Sequence, residues 1–288
     1  MDIGQGEDTH APRGPARIRL APASQLAQSF GLAVLALSDV HVDYDENARW
    51  VSQLSLSDYR DDLLILAGDL TDRLSLLETT LRAFASRFRR VLFVPGNHEL
   101  WVVRDGRGGD SFAKFATVRG IAAECGVETG PLREGGLAIR PFQGWYDGSF
   151  GAPSAALRTI WSDYRACRWP DGFDEARVAA HFDAMNEADE GFGADAEVRI
   201  SCSHFLPRAE LLPAFVPDSV RMLLPVLGSS RIEARLRRWG ASLHVYGHSH
   251  LNRDVRLDGV RYINNAFGYP GETRIAARAL KCIRGDAG

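Results

Sequence analysis

The chain is nearly without lysine: Lys114 and Lys281 are the only two, and arginine carries the rest of the positive charge. Lys+Arg 34 against Asp+Glu 37 gives a formal charge of −3, so there is no global basic field to hold a polyanion by counterion release. Long nucleic acid is therefore disfavoured as a partner. Cysteine is also sparse. Cys125, Cys167, Cys202 and Cys282 are scattered, with no C-x-x-C pair and no dense disulfide framework, which points to a reducing cytoplasm. The longest apolar stretch, Leu32 to Leu37, is far short of the ~20 residues a membrane helix needs, so no membrane partner is expected. Arg13, Arg17 and Arg19 before it imitate a signal peptide, but cleavage there would leave the chain starting on Asp39, a residue with a chemical role of its own. The glycines Gly106, Gly108 and Gly109 lack the Lys and Ser/Thr of a P-loop. No internal repeat is evident, and nothing in the chain specifies an oligomeric state.

What is present is a globular composition, 45% hydrophobic and 25% charged. Residues 1–29, rich in Gly, Pro, Ala and Gln, read as a flexible tail, and residues 30–288 as one domain. Five short apolar runs have strand length: Ala33 to Leu37, Leu63 to Ala67, Val91 to Val94, Val198 to Cys202 and Leu243 to Tyr246. Helix-compatible segments at Asn47 to Leu56, Leu76 to Arg89 and Ile232 to Trp239 can connect them, which predicts an α/β protein.

The chemistry lies in the polar residues just after each run. The first leads into Asp39 and His41, the second into Asp69 and Asp72, the third into Asn97, His98 and Glu99. The fourth leads into His204 and the fifth into His248 and His250. Loops at the carboxyl ends of buried strands converge from rigid supports, so these groups are expected to meet. Taken singly, each pair is weak. Together they supply carboxylates, an amide and imidazoles without thiolate, a donor set that suits Mn, Fe, Zn, Co or Ni in open coordination. The excess of ligands over the four of a closed structural zinc argues for two ions sharing a bridge.

The ordered set D-x-H at Asp39, G-D-x-x-D at Gly68, G-N-H-E at Gly96, the strand-end His204 and G-H-x-H at Gly247 resembles the calcineurin-like metallophosphoesterases. The resemblance implies a two-sheet β-sandwich flanked by helices, a four-layer α/β/β/α fold, with a binuclear centre at one edge. It places Asp39, His41, Asp69 and His250 on one metal and Asp69, Asn97, His204 and His248 on the other, with Asp69 as the bridge and Mn or Fe favoured. A metal-bridging hydroxide is then the nucleophile at phosphorus. His98 is implied as proton donor or charge stabiliser for the leaving oxygen, and Asp72 as the carboxylate that orients it. Alternatively, Asp72 caps a helix and His98 only orients a neighbour. Arg73 follows Asp72 as in the Ser/Thr protein phosphatases, where that arginine grips phosphate, but Leu74 stands where that branch has Gly. Arg208 and Glu272 lie near motif loops, Arg208 as a candidate substrate contact and Glu272 without a derivable role.

Other groups read blandly. Cys202 is a small hydrophobe in a strand, His244 a satisfied histidine in the last run, His181 part of a helix, and His10 part of the tail. The arginine runs around Arg87 and Arg235 read as solvated helix faces. Residues 141–192 carry Trp145, Trp161, Trp169 and further aromatics among arginines, and read equally as a substrate-capping insertion or as packing onto the domain. The leading function is a metal-dependent phosphatase of a small organic or nucleotide-like phosphate. The alternatives are a phosphodiesterase or nuclease with the same centre, and a non-catalytic scaffold that keeps the fold.

Overall fold

The computed structural model of the protein describes residues 32–104, 109–189 and 191–285; the expected tail at 1–29 and His10 lie outside these residues, as do Gly106 and Gly108. The first sheet holds β1 (Val34–Leu37), β2 (Leu63–Leu66) and β3 (Arg90–Phe93), all parallel, with β10 (Lys281–Arg284) antiparallel along the edge of β1. The second runs β4 (Leu132–Glu134), β5 (Leu137–Pro141), β6 (Val198–Cys202), β7 (Leu243–Tyr246), β9 (Val260–Asn264) and β8 (Arg253–Leu257), with a parallel centre and antiparallel edges. All five expected runs are strands. The first three build one sheet and the last two sit in the centre of the other.

Alternation along the buried strands sorts side chains into layers. Val34, Ala36, Leu63 and Ile65 meet Ile139, Ile200, Cys202, Val245 and Ile263 between the sheets. The opposite faces of the first sheet, Leu35, Leu37, Leu64 and Leu66, are covered by α1 (Asp45–Gln53), α2 (Leu74–Ala85) and α3 (Ser111–Glu124) through Val51, Leu77, Phe84 and Val118. The second sheet is covered by α6 (Glu175–Met185) and α8 (Ser230–Trp239) through Val178, Phe182, Ile232 and Leu236. Two sheets between two helix layers are the expected four-layer sandwich. Each fully buried Leu or Ile in these layers is worth about 1.5–3 kcal/mol. Local signals set the helix limits: Asp110 and Asp174 cap α3 and α6 by accepting from Ala113 N and Arg177 N, and Gly240 ends α8 at φ 74°.

Segment 141–192 also carries α4 (Ala155–Ile160) and α5 (Asp163–Ala166). Most of its aromatics pack inward, since Phe142, Trp145, Tyr146 and Phe182 are buried in the helix-side core of the second sheet. The arginine runs are largely ion-paired: Arg90 with Glu128, Arg235 with Asp183 and Arg237 with Glu233. No helix among the described residues is long and apolar enough to cross a membrane. A short helix, α7 (Asp218–Arg221), lies in the loop between β6 and β7.

Candidate functional site

Parallel register brings the strand ends together. Leu37 is level with Leu66, and Leu66 with Phe93, so the loops after β1, β2 and β3 leave the first sheet side by side. Asp39 N donates to Gly68 O at 2.9 Å and His41 N to Asp69 O at 3.1 Å. In the second sheet Cys202 is level with Val245, and Gly247 N donates to His204 O at 2.9 Å. The two groups of loops are joined where His248 N donates to both oxygens of Asp39, at 3.0 and 3.1 Å.

The backbone itself marks this place. Asp39, His41, Asp69, His248 and His250 all have φ between 46° and 69°, and among the described residues Asp258 alone joins them as a non-glycine at positive φ. That conformation costs an L-residue about 1–2 kcal/mol. Five such residues in one cluster indicate strain held for function. Gly96 serves the same cluster by lacking a side chain, since a Cβ there would press on Asp69 Oδ1 and lie 2.8 Å from both Asp69 N and His204 Cε1.

Two sets of donor atoms converge. Ligand atoms of Asp39, His41 and His250 lie within 4.8 Å of one another, as do those of Asp69, His204 and His248. His204 Nε2 is 2.9 Å from Asn97 Oδ1, 3.0 Å from His248 Nδ1 and 3.5 Å from Asp69 Oδ1. His250 Nε2 is 3.1 Å from His41 Nε2 and 3.4 Å from Asp39 Oδ1. The outer nitrogens decide the tautomers. His204 Nδ1 faces Ala67 O at 2.9 Å and His248 Nε2 faces Val226 O at 3.1 Å, and a carbonyl can only accept. Each outer nitrogen therefore carries its proton, and the inner nitrogens turn bare lone pairs toward each other and toward carboxylate and amide oxygens. Such an arrangement fits a cation. Asp69 lies between the sets, with Oδ1 toward His204 and Oδ2 3.7 Å from His98 Nε2, which fits a shared carboxylate.

The protonation equilibria carry the same message. Burial pushes His41 and His248 well below the ordinary histidine value, and lowers His204 too. Burial and then Glu99 and Asp39 push the Asp69 carboxyl well above its usual range. Burial also opposes the charges of Asp39 and His250, yet their mutual attraction prevails: the Asp39 carboxyl is held well below its ordinary value, and His250, with Glu272 adding its pull, is raised to about 10. The lowered histidines are neutral and keep a lone pair free for a cation, while Asp69 is buried among like charges that a cation would offset.

The remaining expected residues divide. His98 is in place: it lines the cleft beside the donor sets, stacked on Trp101 with ring centroids 3.7 Å apart. Burial, followed by His204 and His250, lowers its pKa to about 3, so the ring is neutral at pH 7. A neutral ring can stabilise charge by donating a hydrogen bond but brings no ready proton. Asp72 makes no hydrogen bond to it. Its Oδ2 accepts from Arg104 Nε at 2.7 Å and its Oδ1 is buried without a hydrogen bond, because the guanidinium offers a charge-assisted bond that a neutral imidazole cannot match. Neither arginine is among the cleft residues. Arg73 sits 3.7 Å from Asp43 and is half exposed, and Arg208 is taken up by Asp258, Glu210 and Glu233 at a separate surface pocket. Acidic neighbours distant in sequence lie beside both, Asp43 thirty residues before Arg73 and Asp258 fifty after Arg208.

Two carboxylates have roles that sequence reading did not assign. Glu99 is fully buried and accepts four backbone N–H groups: Leu70 at 2.7 Å and Thr71 at 3.2 Å on Oε1, Asp69 at 3.0 Å and Gly96 at 2.6 Å on Oε2. It ties the loop after β2 to the loop after β3. Its place in G-N-H-E was the available signal. Glu272 Oε2 is 2.6 Å from His250 Nδ1 and accepts from Tyr269 N at 2.8 Å, which fixes the ring with its Nε2 inward. No spacing in the chain announces that contact.

A cleft of about 330 Å³ opens over the donor sets. Its lining combines the donors Asp69, Asn97, His98, His248 and His250 with the apolar Ile160, Trp161, Leu212, Val220, Leu223 and Leu227. Among the described residues lining it there is no arginine or lysine.

The profile of the calcineurin-like phosphoesterases matches residues 32–252. The chain is 29% identical over 264 residues to the [acyl-carrier-protein] phosphodiesterase PptH of Mycobacterium tuberculosis, covering 83% of this chain and 78% of that protein. The crystal structure of the phosphopantetheinyl hydrolase PptH from the same organism superposes with a TM-score of 0.73 at 26% identity, covering 90% of this chain and 98% of that one. Strand-end loops, converging donors and a profile spanning nearly all of them lead to one assignment: the chain belongs to the calcineurin-like phosphoesterase family and is a hydrolase of phosphate esters.

Proposed function

We propose that the chain hydrolyses a phosphodiester, and that its substrate is a phosphopantetheinyl group carried on a protein. The observation that carries this reading is the cleft, whose lining joins donors for cations to a group of apolar side chains and holds no arginine or lysine among the described residues. A monoester dianion gains most from cationic side chains around its three terminal oxygens. A diester carries a single negative charge and a second organic substituent, for which an apolar wall is better suited. Here the reading departs from the sequence expectation, which leaned toward a monoester. The PptH relative, a phosphodiesterase of acyl carrier protein by name, supports the same substrate.

In this reading Asp39, His41, Asp69 and His250 would hold one ion and Asp69, Asn97, His204 and His248 the other, with Asp69 common to both sets. The oxygen and imidazole donors without thiolate suit Mn or Fe, as they also suit Zn, Co or Ni. When bound, such a pair polarises the phosphoryl oxygens and supplies a nucleophilic water near neutral pH. The chain does the rest. Glu99 holds the loops of Asp69 and Asn97 in register, Glu272 keeps His250 Nε2 inward, and the neutral His98 ring donates a hydrogen bond toward the leaving oxygen. A cytoplasmic setting is supported by the four free cysteines.

The test compares Mn²⁺-supplemented turnover of bis(p-nitrophenyl) phosphate and p-nitrophenyl phosphate, and follows the mass of a phosphopantetheinylated carrier protein. Diester preference with loss of the phosphopantetheine from the carrier is expected. Strong monoester preference with an intact carrier would sink the proposal.

A further inference from the structure

One buried carboxylate from the aromatic segment reaches the metal centre. Asp163 begins α5, is 2% exposed, and borders the cleft. Its Oδ1 accepts from Asn97 Nδ2 at 2.8 Å and Trp101 Nε1 at 2.6 Å, and its Oδ2 from Trp161 Nε1 at 2.8 Å. All three donors also line the cleft. Asn97 turns its other amide atom to His204, Trp101 stacks on His98, and Trp161 meets His248 in a T-shaped contact with centroids 5.7 Å apart.

An amide has two nearly isosteric ends, and only its partners decide which end points where. Asp163 Oδ1 faces Trp101 Nε1 and its Oδ2 faces Trp161 Nε1, and an indole N–H only donates, so the carboxyl accepts on both oxygens. Facing Asp163, Asn97 must present Nδ2, and Oδ1 is thereby driven to the opposite side, 2.9 Å from His204 Nε2. A flipped Asn97 would set oxygen against oxygen at Asp163 and turn an NH₂ group toward the cation position. Burying a carboxylate among neutral donors is costly where an apolar side chain of similar size would pack at less expense. Stability alone does not account for Asp163; orientation of the amide does.

We propose that Asp163 is the positioning residue for Asn97, and that through it segment 141–192 sets the metal affinity of the Asn97, His204 and His248 side. The same carboxylate links that ligand to the His98 platform at Trp101 and to the cleft wall at Trp161. This inference rests on the two-ion reading of the site. Its two oxygens divide the work, which yields a prediction that a merely structural residue does not make. Asp163→Asn keeps a carbonyl oxygen at the Oδ1 position, so it preserves the Asn97 and Trp101 bonds and loses the Trp161 bond. Asp163→Leu removes both oxygens and releases the Asn97 amide.

The experiment is Mn²⁺ titration of the full chain by calorimetry, with electron paramagnetic resonance reading whether the ions form an exchange-coupled pair. Wild type and Asp163→Asn are expected to show the pair, and so is Trp161→Phe, which deletes the indole donor alone. Asp163→Leu is expected to lose about 10–100-fold in affinity at one of its two sites and to show the signal of isolated Mn²⁺ at concentrations that pair the wild type. Asp163→Leu that pairs Mn²⁺ like the wild type overturns the proposal. Should that variant not fold, Asp163→Asn still decides: loss of its pair signal overturns the proposal, and retention together with retention in Trp161→Phe upholds the division of labour. A wild-type chain that takes up no pair overturns the two-ion reading instead.

Discussion

Replacing Glu99 by Gln is the sharpest test of how this site is held open. The side chain is completely buried, and its two oxygens accept four backbone N–H groups between 2.6 and 3.2 Å. A glutamine in its place would keep one oxygen and oppose an NH₂ to the other two donors. Each hydrogen bond to a charged acceptor is worth about 1.5–3 kcal/mol, so two lost bonds amount to about 3–6 kcal/mol. Part of this is offset, because burial raises the Glu99 pKa and the neighbouring Asp69 carboxyl is pushed up by Glu99 in turn. A net loss of about 2–4 kcal/mol remains, which is about 1 M in urea midpoint at a slope near 3 kcal/mol/M. Freed of its clamp, Asp69 at φ 56° can relax out of the left-handed region, so the loss in stability should be larger with Mn²⁺ present than without. Urea unfolding followed by circular dichroism, with and without Mn²⁺, measures both effects. A midpoint indistinguishable from wild type would refute the reasoning, since about 0.5 kcal/mol is what an inert surface change produces.

Three further outcomes are expected. Gly96→Ala should lower Mn²⁺ affinity at least about 10-fold with a folding cost of about 1–3 kcal/mol, because its Cβ would intrude on Asp69 and His204; calorimetry giving wild-type affinity would contradict this. Glu272→Gln keeps an acceptor for His250 Nδ1 but removes its charge, so Mn²⁺ affinity should fall by about 10-fold with the fold intact; unchanged binding would show that the carboxylate is dispensable. His244, buried between Ser201 and Ser203 hydroxyls at 2.8 and 3.0 Å, has its pKa lowered by burial to about 3. Only the unfolded chain then takes up its proton between pH about 6.5 and about 3, so its contribution is fully present above the higher value and is lost as pH falls, about 2 kcal/mol by pH 5. His244→Gln should flatten the pH dependence of unfolding by about one proton over that range, and an unaltered slope would remove the assignment.

Much of the site was legible in the chain because its ligands are local features of strand ends. A four- or five-residue apolar run declares a buried strand, and the polar residue after it is placed by chain connectivity alone, as at Asp39, Asp69, Asn97, His204 and His248. The helices between them were readable for the same reason, although their limits shifted by a few residues to wherever caps such as Ser229 and Gly240 occur. Strands β4, β5, β8, β9 and β10 were not: short runs such as Leu132–Glu134 owe their conformation to the neighbour they pair with, and β5 and β9 lie against the parallel partners β6 and β7.

Roles that depend on a partner distant in sequence could come only from the folded chain. The sequence does not show that Arg73 lies beside Asp43, Arg208 beside Asp258, or Asp72 beside Arg104. Glu272 and Asp163 carry no motif, yet each sets the direction of a donor atom, His250 Nε2 and Asn97 Oδ1. By itself the sequence determined which atoms can bind a cation and on which strands they ride. The tertiary structure decided which way those atoms point and what surrounds them, because orientation, burial and charge pairing are properties of residues brought together across the fold.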